Sequence, residues 1–123
     1  MSDEIVHIDR RVFNSIRELM SARFPNFIRE FLSGAALNLD NAKKAATEHN
    51  ANAVANAVHS LKSSSASVGF KRMSEIAKMI EAAADSMDNG GADEWESVSA
   101  NMLALEEELL VVKRILDQEA DKA

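Results

Sequence analysis

Apolar residues recur three and four positions apart in five successive stretches of the chain, the spacing of helices that each bury one face. The first follows Asp9, a residue suited to capping a helix start, and carries Val12, Phe13, Ile16, Leu19 and Met20 as its apolar side. "ARFPN" interrupts it, because Pro25 disfavours helix at the residue before it and suits a new first turn. From there Phe24, Ile28, Phe31, Ala35, Leu39, Ala42 and Ala46 keep helical spacing to about residue 48, where "EHNAN" breaks the pattern. A third helix runs to Gly69, and a fourth from about Lys71 to Met87 carries Met73, Ile76, Ala77, Ile80 and Ala84 inward. After the turn "DNGGAD", the last helix sets Trp95, Val98, Met102, Leu105, Leu109, Val112 and Leu116 in strict three-four alternation. Four long amphipathic segments with short connections predict an all-α fold, an antiparallel up-down four-helix bundle with a short additional N-terminal helix. The last helix alone would also suit a coiled-coil dimer.

Composition agrees and narrows the function. The 123 residues include four glycines and one proline, and no window alternates in the manner of a strand. The length suits a single domain, residues 1–123, with about 1–7 and 118–123 expected to fray. There is no cysteine, which removes disulfides and thiolate metal sites. A net charge of -6 opposes phosphate backbones, so nucleic acid is not an expected partner. No stretch is apolar enough to span a membrane, and "MSDEIVH" reads as the start of a cytoplasmic protein.

The segment "AVHSLKSSSASVGF" carries the candidate chemistry. Val54, Val58, Leu61, Ser65 and Val68 share one arc of the third helix and form its buried stripe. His59 lies roughly 140° from that stripe and faces outward. Ala55, Asn56, Ser63 and Ala66 surround it, all short, so a macromolecule can approach the imidazole across them, with apolar neighbours from the second helix extending the patch. Lys62 stands one turn on, close enough to support an incoming phosphoryl group. A neutral imidazole is a competent nucleophile near neutral pH, although an exposed helix histidine often has no role beyond solvation. No carboxylate occurs between Glu48 and Glu75 to orient the ring, so the segment reads as half an active site that a partner completes.

"HSLKSSSASVGF" resembles the signature of histidine-containing phosphotransfer (HPt) domains, with His59, Leu61, Lys62, Ser64 and Gly69 on motif positions. The resemblance implies that His59 accepts a phosphoryl group, that Lys62 helps neutralise it, and that Gly69 ends the helix. It further implies a phosphocarrier without turnover of its own, working between response-regulator receiver domains and a hybrid sensor histidine kinase. No cofactor of its own is expected; Mg2+ would sit on the partner receiver. The chain departs from the family at Ser63, where glycine is usual and keeps the space beside the histidine open. A monomer that relays phosphoryl groups is the expectation, and a degenerate, non-phosphorylated helical adaptor that binds receiver domains or other signalling proteins is the competing one.

Other features carry less. Glu4 and His7 in "EIVH" make half of a di-iron bundle motif without a second copy, so no metal site is expected. His49 falls in a turn, and Glu106, Glu107 and Glu108 read as a solvated acidic face. Histidine-kinase dimerisation helices place an acidic residue after their histidine, whereas Ser60 follows here, and 123 residues leave no room for a nucleotide-binding domain.

Overall fold

A computed structural model describes residues 7–121. Among the described residues the helices are, in order, α1 (Arg10–Met20), α2 (Phe24–Thr47), α3 (Ala51–Val68), α4 (Lys71–Asp88) and α5 (Trp95–Asp121), with a short 3-10 turn (Ser21–Arg23) ahead of Pro25. Helices α2 to α5 form the antiparallel bundle, and the described residues contain no strand. Of the ends expected to fray, residues 1–6 and 122–123 lie outside the described residues. Residues 118–121 continue α5, where Arg10 and Arg17 both donate to Glu119 Oε1, at 2.7 and 2.8 Å.

Asp9 caps α1 as its sequence position suggests, its Oδ1 accepting from the Arg11 and Val12 backbone N–H groups. The helix covers the end of the bundle where α3 stops and α4 begins. Phe13 is fully buried there, 5.5 Å from the Phe24 ring and 6.0 Å from Phe70, with Phe31 5.0 Å from Phe70 on the far side. Leu19, expected on the apolar side, is exposed instead. Phe13 is the buried residue of α1, and Leu19, six residues on, lies about 120° around the helix from it.

Gly69 holds this end together. It adopts φ +92, and its N–H bonds back to Ser65 and Ala66 carbonyls, closing α3 in the left-handed conformation that favours glycine. Its carbonyl accepts the Asp9 N–H at 2.7 Å. A side chain at 69 would stand 2.8 Å from the Asp9 carbonyl oxygen and 2.9 Å from the Phe13 nitrogen, so both backbone angle and space require glycine. At the other end of α3, Glu48 to Asn50 make the turn. His49 takes φ +53 and stacks on Trp95 at 4.8 Å, and Asn50 Oδ1 accepts the Ala53 N–H. Helix α3 is thereby fixed at both ends, which sets the rotation of its exposed face.

Candidate functional site

The buried stripe of α3 is Val54, Val58, Leu61, Ser65 and Val68, and His59 projects from the opposite side with 62% of its side chain exposed. Asn56, Ser63 and Ala66 are exposed around it. Ala55, expected beside them on the docking surface, is buried at 6% and belongs to the core. Ala55 and Lys62 are seven residues apart on the flank of α3 turned toward α4. A methyl group there is covered, whereas the longer lysine extends past the contact and stays part-exposed.

That flank supplies the residue the sequence reading missed. Glu81 of α4 reaches across to both site residues: its Oε2 lies 2.6 Å from His59 Nδ1, and its Oε1 accepts from Lys62 Nζ at 2.5 Å. The orienting carboxylate thus exists, contrary to the expectation of a bare imidazole, but on the next helix and 22 residues away. The α3–α4 hairpin turns at Gly69 and Phe70, so residues equidistant from it come level. Asn52 donates to Asp88 and Ser74 Oγ donates to the Lys62 carbonyl in the same antiparallel register. Glu81 is one of the acidic residues on α4, and only this register distinguishes it from Glu75 or Asp85.

Electrostatics fix the tautomer. Burial disfavours charge on Glu81, 14% exposed, but the hydrogen bonds and positive charge from Lys62, with the bond from His59, outweigh it and hold the carboxyl below its ordinary range. An ionised carboxylate only accepts, so His59 Nδ1 carries the hydrogen and donates it. In the neutral ring this leaves the lone pair on Nε2, the nitrogen turned away from Glu81. The same carboxylate occupies Lys62, which rests as Glu81's partner beside the ring.

The remaining acidic candidates are placed differently. Glu106 is part-exposed and pairs with Lys43 at 2.9 Å, and Glu107 is exposed. Glu108, read as part of the same solvated face, is buried instead, since it points to the opposite flank of α5, where His7 Nδ1 lies 2.7 Å and Arg72 Nε 3.7 Å from its oxygens. The His7 ring is committed to that contact, and the described residues hold no group of three or more metal-ligating side chains.

Among the described residues, then, an outward histidine held through Nδ1, with a lysine one turn on, stands on the surface of an all-α bundle. Residues 26–119 match the model of the Hpt domain, and the chain belongs to that family. Its fold is shared with histidine-containing phosphotransfer protein B (HptB) from Pseudomonas aeruginosa PAO1, whose crystal structure superposes with a TM-score of 0.84 at 23% identity, over 95% of this chain and 96% of that one. No curated protein matches the sequence. No helix among the described residues is long and apolar enough to cross a membrane.

Proposed function

We propose that this chain is a phosphorelay intermediate in which His59 accepts a phosphoryl group from a receiver-domain aspartate and passes it to another receiver. The observation that carries this reading is the Glu81 bridge. With Nδ1–H donated to Glu81 Oε2, the Nε2 lone pair is free and turned away from Glu81, the arrangement an in-line attack on an aspartyl phosphate needs.

In that step the Nε2–P bond forms as the bond between phosphorus and the aspartate oxygen breaks. The leaving aspartate takes the bonding electrons, and the ring becomes a phosphorylated imidazolium that keeps its Nδ1 hydrogen. Glu81 then faces a cation instead of a neutral ring, so its hydrogen bond strengthens as the charge develops. Lys62 contributes positive charge on the same side. Activation of the phosphoryl donor would fall to the receiver, with its own aspartate and Mg2+. Docking would use the flat ground of Asn56, Ser63 and Ala66. The role ends with transfer to the next aspartate, so the chain acts as a carrier.

The test is to mix the protein with a phosphorylated receiver and read intact mass, followed by acid and alkali treatment. The expected product carries one phosphoryl group on His59, lost in acid and kept in alkali. Stable association with the receiver without any mass increment would overturn the relay and leave the adaptor reading.

A further inference from the structure

Four cations stand on α3 and α4: Lys62, Lys71, Arg72 and Lys78. Lys62 is matched by Glu81, and Arg72 approaches Glu108 on the far side of α4. Lys71 opens α4, at the Gly69 end of the hairpin and several turns from His59. Lys78 is exposed and makes no hydrogen bond or ion pair among the described residues.

Its position follows from the register already described. Lys78 precedes Glu81 by three residues, so it shares that face of α4 and lies about 60° further toward solvent. Because α4 runs opposite to α3, it stands level with Lys62, one turn along from His59. Packed helix axes are about 8–10 Å apart, a gap that a four-carbon stem crosses when its ammonium leans toward a group on Nε2. On the other side of Glu81, Asp85 is exposed one turn away and places a negative charge there.

A phosphoryl group would bring two negative charges to a surface where Lys62 and Glu81 already offset each other. We propose that Lys78 is the phosphoryl-facing cation of this site and sets how strongly His59 retains its phosphoryl group, an assignment that rests on the phosphohistidine reading above. Lys62 flanks the ring, Asp85 opposes the added charge, and Lys78 supplies the uncommitted positive charge.

The experiment uses the full chain as wild type, Lys78→Ala, Lys78→Arg and Lys78→Glu, equilibrated with one receiver domain charged by a small-molecule phosphodonor. The quantity read is the ratio of phosphohistidine to aspartyl phosphate among the free proteins, at low and high salt. This ratio depends on the free species alone, so a lysine that only assists docking or folding leaves it unchanged. Exposed charge pairs of this kind predict a shift away from His59 of about two- to fivefold for Lys78→Ala. Lys78→Glu should shift it further, Lys78→Arg should restore it, and salt should compress all the differences. Phosphohistidine on wild type with the same ratio in the Ala and Glu variants would overturn the Lys78 assignment and leave the relay standing. Absence of phosphohistidine on wild type would instead remove the relay reading, and the Lys78 assignment with it.

Discussion

The molecule contains the same hydrogen bond twice. His7 Nδ1 meets Glu108 Oε2 at 2.7 Å, and His59 Nδ1 meets Glu81 Oε2 at 2.6 Å, each with a basic side chain near the carboxylate. Burial separates them. His7 is 17% exposed against 62% for His59, and Glu108 is 3% exposed against 14% for Glu81. In the first pair the bond ties the start of the described chain to α5 and covers the carboxyl. In the second it holds one ring nitrogen and leaves the other free. The same contact serves as a clasp in one place and as an orienting hold in the other, and exposure of the imidazole decides which.

Replacing each histidine separates the two roles most sharply. His59→Gln should abolish phosphoryl acceptance and leave the fold intact, because exposed replacements usually change stability by less than about 0.5 kcal/mol. His7→Gln should accept phosphoryl groups at the wild-type rate. The check is label uptake from a phosphorylated receiver beside helicity and melting of both variants. Uptake by His59→Gln at a comparable rate, or its unfolding, would contradict the assignment.

The second break falls on the buried partner. Glu108→Ala removes the acceptor for His7 Nδ1 and the carboxyl near Arg72 at a buried position, and losses of this kind cost about 1–3 kcal/mol. Denaturant unfolding should show a lower midpoint, while the remaining folded protein still charges His59. A midpoint equal to wild type would mean that the pair adds nothing to the bundle.

Third in size is Glu81→Gln. The amide oxygen can still accept from Nδ1–H, but the negative charge that answers the developing imidazolium is gone. The difference between charged and neutral hydrogen bonds predicts acceptance slower by about tenfold, measured by rapid quench. Stability carries a pH signature of the same residue. Glu81 titrates lower in the folded protein than its ordinary 4.5, so its contribution is complete above 4.5 and falls away as pH drops through the folded value. The difference in stability between wild type and Glu81→Gln should therefore shrink in acid, and a difference constant to low pH would contradict the bridge.

These contrasts also show what a sequence makes legible. The helices, their caps at Asp9 and Gly69 and the outward turn of His59 follow from spacing and local chemistry, and the structure has all of them. What spacing leaves open is the flank of a helix, the zone between core and solvent where the next helix decides. Ala55 and Glu108 both sit in that zone, and both are buried by a neighbour that no local pattern identifies. Glu81 is the same case in reverse, an ordinary acidic residue until the α3–α4 register brings it to His59. That register was available in outline, since a hairpin closing at Gly69 and Phe70 pairs residue 59 with residues near 80.

The smallest expected effect concerns Ser63, where the family's usual glycine is replaced. Ser63 is four residues after His59 on the same face, so its side chain borders the approach to Nε2. Its hydroxyl makes no hydrogen bond among the described residues, and its carbonyl accepts from Ser67 Oγ at 3.0 Å. The ring is held by Glu81 from the opposite flank, so Ser63 has no part in orienting it. Ser63→Gly should therefore open the path without disturbing the imidazole, and transfer should stay equal or become faster. The accompanying loss is backbone entropy, about half a kcal/mol for glycine against serine inside a helix, seen as a slightly lower melting temperature. Ser63→Ala removes the hydroxyl while keeping helix propensity and should transfer at or near the wild-type rate. A marked fall in both variants with the fold retained would show that the hydroxyl contacts the phosphoryl group during transfer. A fall in Ser63→Gly alone would show that helix rigidity beside His59, rather than open space, limits the step.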